Sequence, residues 1–204
     1  MAVNSDKFVI VGGMPRSGTR QFTDFLNRSS KFHLEGELFD EVDAAASLVE
    51  KVFRRQLKYL KSFPDFKDPH QQSIATNTFE RRRREMLVYL VNFLSKSTKA
   101  QSQADIIYGF KNPDIEVKFL KLNQLFGVGF CKIYYIYCIR NVADSYLSNF
   151  SRPWFKQRPE EFIEKYLDSL KNAVRMRKLS EQSTDPRFSI HVMNLDSFIE
   201  SSDK

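Results

Sequence analysis

Cysteine is scarce in this chain of 204 residues, and no apolar run in it is long. The two cysteines, Cys131 and Cys138, have six residues between them, which suits neither a zinc site nor a redox pair. We therefore expect two buried, reduced thiols. No stretch approaches the ~20 apolar residues that a membrane-spanning helix needs. The N-terminal apolar run also lacks the basic segment that begins a secretory signal. These absences predict a soluble protein of the cytoplasm or another intracellular compartment.

Internal repeats, low-complexity segments and an acidic excess are also missing. The 42% of hydrophobic and 28% of charged residues are typical of a globular protein, and the length suits a single domain, residues 1–204. The net charge of +7 favours an anionic partner, such as a nucleotide, an acidic peptide or an acidic glycan. Nucleic acid is disfavoured, because no aromatic stacking motif accompanies the positive charge.

Short apolar segments alternate with amphipathic ones along the chain. Strands are predicted at residues 8–12, 32–34, 106–110, 133–139 and 188–193. Helices are predicted at residues 19–27, 42–62, 77–97, 115–126, 143–150, 159–180 and 197–201. Strands that alternate with helices pair in parallel through right-handed crossovers. The expected fold is therefore α/β, a doubly wound parallel sheet of about five strands with helices on both faces.

A helical insertion, residues 42–97, separates the second and third predicted strands, with loops expected at residues 64–73 and 95–103. Ligands bind at the carboxyl ends of the strands in such sheets, and we expect the insertion to lie there. Its tract Glu80-Arg-Arg-Arg-Arg-Glu85 has two interpretations. We favour a solvated helix face over an anion-binding patch for a substrate.

The first predicted strand leads into a loop of phosphate-binding type. Residues 13–18 have the glycine spacing of the NTPase loop G-x-x-x-x-G-K-[ST], but Thr19 and Arg20 stand in place of its lysine and its magnesium-binding hydroxyl. Arg16 supplies a cation inside the loop, and Ser17 supplies a hydroxyl. Backbone N–H groups at the start of the following helix can surround an anion. The loop therefore predicts a phosphate site that works without magnesium.

The fourth predicted strand, KIYYIYCIR, ends in Arg140, where P-loop NTPases have an Asp that helps to hold Mg²⁺. A cation at this position favours a second bare anion over a metal-bound triphosphate. One nucleotide fits this description, 3'-phosphoadenosine 5'-phosphosulfate (PAPS). It offers a 5' end for the loop and a separate 3'-phosphate. Its sulfuryl group carries less charge than a phosphoryl group, so that side-chain cations can replace the metal.

Two motifs resemble those of the PAPS-dependent sulfotransferases. Residues 13–19, GMPRSGT, resemble the 5'-phosphosulfate loop P-[RK]-S-G-T, and residues 139–148, IRNVADSYLS, resemble the 3'-phosphate motif. In that motif an Arg at a strand tip and a Ser about two helical turns later converge on one phosphate. The resemblance implies PAPS as the donor, no metal, and a donor site made of Arg16, Ser17, Gly18, Thr19, Arg20, Arg140 and Ser148.

Three weaker matches extend the resemblance to nearly the whole chain, in the style of tyrosylprotein and glycan sulfotransferases. Residues 34–39, LEGELF, look like the segment with their catalytic glutamate, which places the base at Glu37, with Glu35 as the alternative. Residues 110–113, FKNP, resemble a K-x-P segment whose lysine, here Lys111, assists transfer together with Arg16. Residues 191–198 look like a degenerate form of the late strand ending Y-E-D-L.

The sequence also departs from the family pattern. Arg20 replaces a Thr or Ser, no histidine stands at the base position of the small-molecule branch, and the chain ends at Lys204, before a segment that usually closes over the 3'-phosphate. The resemblance implies transfer of a sulfuryl group to the hydroxyl of a peptide tyrosine, a glycan or a small alcohol, with an anionic acceptor favoured. A P-loop kinase or NTPase and a non-catalytic nucleotide-binding relative are the alternatives.

The candidate site residues also have purely structural interpretations. Glu37 can cap the following helix or pair with an arginine, Lys111 can be a surface lysine, and Arg140 can pair with Asp144. No pattern indicates an oligomeric state. We favour core packing over adenine stacking for three aromatic residues and leave them outside the predicted site: Phe150, Trp154 and Phe155.

Overall fold

A computed structural model of the chain describes residues 7–37, 39–62, 68–95, 106–118, 132–182 and 188–202. These residues form one sheet, of order β2-β3-β1-β4-β5, in which every neighbouring pair is parallel. The predicted class, an α/β doubly wound sheet of five strands, is confirmed. The strands are β1 (Lys7–Gly13), β2 (Phe32–Glu35), β3 (Ile107–Lys111), β4 (Lys132–Ile139) and β5 (Phe188–Asn194).

The helices are close to those that the sequence predicts, and the first has the predicted bounds. A short 3₁₀ helix, Ile115–Lys118, begins the helix predicted at residues 115–126, and residues 119–126 lie outside the described part of the chain. The α-helices are α1 (Thr19–Asn27), α2 (Phe39–Leu60), α3 (Pro69–Ser95), α4 (Val142–Phe150), α5 (Pro159–Gln182) and α6 (Leu195–Ser202).

The central strand, β1, is buried on both faces, which explains its continuous apolar run. Because side chains alternate along a strand, Phe8 and Ile10 enter one core, on the face that α5 covers. Val9 and Val11 enter the other core, which α1 and α6 cover. Cys138 is buried in this second core, as expected, whereas Cys131 lies outside the described residues.

The predicted loop at residues 64–73 is wrong over its last five residues, because α3 begins at Pro69 rather than at residue 77. The Asp68 carboxylate accepts a hydrogen bond from the His70 N–H at 3.0 Å, and the Asp68 carbonyl accepts one from the Gln72 N–H. This is an Asp cap followed by a proline at the first helical position, where its missing N–H costs nothing. Polar composition alone hid the helix start.

The two insertion helices pack against each other, and α3 also contacts β2 and β3. Phe53 of α2 and Phe79 of α3 meet edge to face, with ring centroids 6.0 Å apart. The expected loop at residues 95–103 lies almost wholly outside the described residues.

Candidate active site

The crevice between β1 and β4 is the topological switch point of the sheet. From β1 the chain crosses towards β2 at one edge, and from β4 it crosses to β5 at the other. Open α/β sheets bind ligands at such a point, outside the carboxyl ends of the strands. The segments that follow β1 and β4 therefore meet where a ligand is expected.

The loop after β1 has three residues with positive φ: Gly13 at 126°, Gly18 at 101° and Arg16 at 69°. A Cβ on Gly13 would lie 2.3 Å from the carbonyl oxygen of Cys138, so that a glycine is required where the loop passes β4. An arginine in the left-handed region is uncommon, and such conformations cluster at functional sites. The loop then enters α1, whose first N–H groups are available to an anion.

The segment after β3 holds this loop from the opposite side. The Asn112 N–H donates to the Val11 carbonyl, and the Asp114 N–H donates to the Gly13 carbonyl, both at 2.9 Å. Just before the loop, the Tyr135 hydroxyl from β4 packs against Gly12. A Cβ on Gly12 would lie 2.0 Å from that hydroxyl oxygen. The loop therefore rests on two neighbouring strands.

A buried carboxyl group lies under this support. Glu116 is 2% exposed, and its carboxylate accepts hydrogen bonds from Ser169 Oγ at 2.5 Å and from the Tyr135 hydroxyl at 3.2 Å. The Tyr137 hydroxyl shares a hydrogen bond with Ser169 Oγ at 2.6 Å. Burial raises the pKa of Glu116, against the opposing effect of these hydrogen bonds.

On the β4 side, Arg140 is positioned by hydrogen bonds to its own backbone and to that of its neighbour. The Tyr166 hydroxyl donates to the Arg140 carbonyl, and the Asn141 N–H donates to Asp196 Oδ2 at 2.7 Å. Arg140 Nε is buried without a hydrogen-bond partner in the described part of the chain, and Asp196 Oδ1 lies 3.7 Å away. The carboxylate near Arg140 is thus Asp196, at the start of α6, rather than Asp144.

Two hydrogen bonds join the loop to α4. Arg16 Nε donates to Ser148 Oγ at 2.9 Å, and Asn149 Nδ2 donates to the Pro15 carbonyl at 3.3 Å. The cation of the first motif and the serine of the second are therefore in direct contact, although 132 positions separate them.

On the β2–β3 side, Lys111 Nζ donates to Glu37 Oε1 at 3.0 Å. The Lys111 side chain is only 18% exposed, unlike an ordinary surface lysine, whereas the Glu37 side chain is 60% exposed. Glu35 instead lies 2.9 Å from His33 Nε2 through its Oε1. Of the two glutamates, it is thus Glu37 that contacts Lys111. Its partner is this lysine rather than an arginine.

These segments enclose a cleft of about 590 Å³. Its described walls include five cationic side chains and two carboxylates, those of Asp24 and Glu37. Ser17 lies behind the loop, fully buried, with an Oγ that has no hydrogen-bond partner among the described residues. The other predicted site residues all line the cleft: Arg16, Gly18, Thr19, Arg20, Glu37, Lys111, Arg140 and Ser148.

The electrostatics of the cleft are those of crowded cations. The pKa of Arg16 is lowered, first by partial burial and then by repulsion from Arg152, Arg140 and Arg20. A depressed arginine pKa means that the charged form is held against an unfavourable field. A bound anion would reverse that field, so the arrangement is suited to binding one or more anionic groups.

The described lining of the cleft also includes residues outside the predicted site, among them Asp24, Arg152 and Trp154. Arg152 follows Ser148 by one helical turn, and this spacing was the available signal. The expected core packing of Trp154 and Phe150 is wrong, since each is 66% exposed and Trp154 lines the cleft. Apolar residues near the end of an amphipathic helix do not have to face inwards, and Pro153 turns the chain after α4 ends.

The insertion does not contribute to the cleft in the part of the chain that the structure describes, because no described residue of α2 or α3 lines it. Arg81 of the basic tract lies 3.9 Å from Glu85 on the same helix. Among the described residues, no group of three or more metal-ligating side chains occurs, and no helix has both the length and the apolarity of a membrane span.

Comparisons with known proteins support a family assignment. None of the curated proteins matches the sequence. Among solved structures, the crystal structure of TT1252 from Thermus thermophilus is similar at 12% identity, covering 96% of this chain and 95% of that one. Its TM-score of 0.39 is too low for any inference. A sequence profile of the Sulfotransferase family matches residues 9–190. Since that match covers most of the chain and both phosphate motifs, the chain belongs to the sulfotransferase family.

Proposed function

We propose that the protein transfers a sulfuryl group from PAPS to an acceptor hydroxyl, without a metal and with Glu37 as the base. The observation that carries this proposal is the contact between Arg16 and Ser148 inside a cleft with a surplus of cations. This contact brings to one place the two segments that resemble the 5'-phosphosulfate loop and the 3'-phosphate motif.

The chemistry of the cleft fits a ligand with two separate anionic groups. The Ser17 hydroxyl and Arg140 Nε are buried polar groups without hydrogen-bond partners in the described residues. Buried polar groups are rarely left unpaired, so the unpaired Nε of Arg140, a residue that lines the cleft, supports a missing ligand atom there. The lowered pKa of Arg16 points the same way, because a bound anion would offset both its causes, partial burial first and then repulsion from neighbouring cations.

The two ends of the donor would be held by different segments. Arg140 and Ser148 would bind the 3'-phosphate, one from the tip of β4 and the other from α4. The 5' end would lie in the loop and at the start of α1, against Arg16, Gly18, Thr19 and Arg20, with the buried Ser17 behind them.

When bound, PAPS supplies a sulfuryl group, whose bond from sulfur to the 5'-phosphate oxygen breaks as the acceptor oxygen bonds to sulfur, leaving adenosine 3',5'-bisphosphate. Glu37 would take the proton from the acceptor hydroxyl. Lys111 holds the Glu37 carboxylate through its 3.0 Å hydrogen bond and, with Arg16, can donate to oxygens on which negative charge grows. The positive charge around the cleft favours an anionic acceptor, a peptide tyrosine or a glycan, over a neutral alcohol.

The test is calorimetric titration with adenosine 3',5'-bisphosphate in the presence of a chelator. We expect micromolar or tighter binding, about 8 kcal/mol. Arg140→Ala should weaken it about 10- to 100-fold, because a hydrogen bond to a charged group is lost. The matched control is Arg177→Ala on α5, an exposed arginine paired with Glu181 away from the cleft, which should leave binding unchanged.

Other outcomes would reject the proposal. Binding of Mg–ATP in preference to the bisphosphate would indicate a kinase or NTPase. Tight binding of the bisphosphate without turnover of PAPS on any hydroxyl acceptor would indicate a non-catalytic relative. Equal effects of Arg140→Ala and Arg177→Ala would remove the 3'-phosphate assignment.

A further inference from the structure

The insertion helix α2 carries apolar residues on two different faces. One face packs inwards, where Val49 is 2% exposed and Phe53 contacts Phe79 of α3. The other face points to solvent, yet Leu48 and Val52 lie on it, 63% and 40% exposed. A helix at the surface of a globular protein normally has one apolar face and one polar face. The second apolar face of α2 therefore lies against solvent in the single chain.

The exposed residues of this outer face follow one line along the helix. Positions 41, 48 and 55 are seven residues apart, about two helical turns each, and positions 44, 52 and 59 lie beside them. We call this line the α2 stripe. A single exposed leucine is ordinary at a protein surface, whereas a row of apolar side chains along one face indicates a contact surface. The stripe consists of six exposed residues: Glu41, Ala44, Leu48, Val52, Arg55 and Tyr59.

The charges of the α2 stripe are sorted along the helix. Its first turn is acidic, with Asp40 and Glu41, whereas Arg55 and then Lys58 follow towards its end. Leu48 lies midway between Glu41 and Arg55, seven residues from each. A two-fold rotation about Leu48 therefore places each Glu41 opposite Arg55 of a second copy. The stripe is complementary to itself, in charge as well as in apolar character, as a two-fold interface requires.

We propose that α2 pairs antiparallel with α2 of a second copy of this chain, about a two-fold axis at Leu48. At the axis, Leu48 packs against Leu48 of the second copy. On either side of it the small Ala44 lies opposite Val52, so that the two helices can approach closely. At the ends, Glu41 forms an ion pair with Arg55 of the second copy, and the rotation makes this pair twice.

This pairing goes beyond the proposed sulfotransferase function and does not rest on it. It would leave the cleft open, since no described residue of α2 lines that cleft. The helix has 22 residues and is therefore about 33 Å long. A single pair of helices is a small interface, so we expect a weak dimer with a Kd on the order of 10 µM. A partner of another sequence would need the same order of charges, which the chain itself supplies.

The test is sedimentation of the full chain between about 1 and 200 µM, where we expect an equilibrium between monomer and dimer. Leu48→Lys places two ammonium groups face to face at the axis and should weaken the dimer about 100-fold or more. The substitution should not unfold the chain, because Leu48 is exposed. The matched control is Val174→Lys on α5, since Val174 is also apolar and 55% exposed. It should leave the equilibrium unchanged.

Charge reversal tests the antiparallel order. Glu41→Lys places like charges opposite each other at both ends of the pair, and so does Arg55→Glu. Each variant alone should therefore associate about tenfold more weakly than the wild type. In an equimolar mixture of the two variants, every charge again meets an opposite one, and mixed dimers should form as tightly as those of the wild type. Lys178→Glu, on the exposed surface of α5, controls for the change of net charge and should have no effect.

Three outcomes would overturn the inference. A chain that stays monomeric over the whole range would have no such interface. A dimer that Leu48→Lys leaves intact would use another surface. Failure of the mixture to restore association, although each variant alone is weakened, would contradict the antiparallel register. Circular dichroism and thermal unfolding of every variant, compared with the wild type, separate a loss of association from a loss of folding.

Discussion

The two sides of the cleft differ in how their charges are balanced. On the loop side, defined by Arg16, Arg140 and Ser148, cations repel one another, and a buried guanidinium nitrogen has no hydrogen-bond partner among the described residues. On the pair side, defined by Lys111 and Glu37, each charge has the other at 3.0 Å. The loop side is thus short of negative charge, whereas the pair side is neutral as a unit.

This difference separates two tasks. An unsatisfied cationic surface gains most from a bound anion, because binding offsets both repulsion and desolvation. A neutral acid–base pair gains little from an anion, but it can exchange partners when a hydroxyl arrives. We therefore expect affinity for the donor to depend on the loop side and proton transfer to depend on the pair side. Substitutions on either side of the cleft can test this division.

The largest effect is expected for Glu37→Gln. The amide cannot take a proton, so kcat should fall about 10²- to 10⁴-fold, the usual contribution of a general base. The affinity for adenosine 3',5'-bisphosphate should change by less than about twofold, because the pair side is not expected to hold the donor. Turnover of PAPS and calorimetry on the same preparation measure the two quantities.

Glu35→Gln is the control for that substitution. Glu35 contacts His33, two residues away on β2, and does not line the cleft. A comparable loss of kcat in Glu35→Gln would transfer the base to that residue. A large loss of bisphosphate affinity in Glu37→Gln would contradict the division of tasks itself.

The second effect is expected for Arg16→Ala, which removes the central cation of the loop side. Bisphosphate binding should weaken about 10- to 100-fold, or ~1.5–3 kcal/mol, the range for a hydrogen bond to a charged group. The graded comparison is Arg20→Ala, since Arg20 is 83% exposed and lies 3.7 Å from Asp24. Its loss should stay within about fivefold. Equal losses would show that net charge alone, rather than position, determines binding.

The sheet and the loop could be predicted from the sequence because each leaves a local pattern. The apolar run of β1, its glycines and the Arg–Ser spacing after β4 are readable within about twenty residues each. Glu37, Lys111 and Arg140 were placed at strand ends, and parallel strands bring their carboxyl ends to one edge. The topology therefore gathers them without any knowledge of side-chain contacts.

What the sequence could not show depends on contacts between distant residues. The Arg16–Ser148 hydrogen bond joins residues 132 positions apart, and Asp196 reaches Arg140 from the last described helix. Trp154 was assigned to the core because its type is usually buried, yet the turn after α4 leaves it exposed. The start of α3 was missed because a capping Asp and a proline resemble loop residues.

A smaller effect is expected for Ser17→Ala, and it should differ between the stability of the protein and its affinity for the bisphosphate. The Ser17 Oγ is buried without a hydrogen-bond partner in the described residues, so its removal should not lower the unfolding free energy of the free protein. If that hydroxyl donates to the 5' anion, bisphosphate affinity should fall about fivefold, ~1 kcal/mol. Denaturant unfolding and calorimetry give the two values. Lower stability together with unchanged affinity would make Ser17 a structural residue and remove it from the loop side.

The smallest effect is expected for Glu116, the buried carboxyl group under the support of the loop. It does not line the cleft and therefore belongs to neither side. Its pKa is raised, mainly by burial, and Asp114 raises it further while hydrogen bonds from Ser169 and Tyr135 lower it. A raised folded-state pKa contributes stability that is fully present below the unfolded value, about 4.3, and is lost as the pH rises through the folded value. The size of this loss grows with the difference between the folded and unfolded pKa values of the group.

Glu116→Gln removes this titration while it keeps the shape of the side chain. As the pH rises from about 4 towards neutrality, the unfolding free energy of the wild type should therefore fall relative to that of the variant. Asp114, whose pKa burial also raises, remains in both proteins, so the difference contains the titration of Glu116 together with its electrostatic coupling to Asp114. Bisphosphate affinity should be the same in both proteins across this range, because Glu116 acts on the support of the loop and not on the anion. A difference in bisphosphate affinity that followed the titration of Glu116 would contradict this expectation. It would show that Glu116 affects anion binding as well as the stability of the protein.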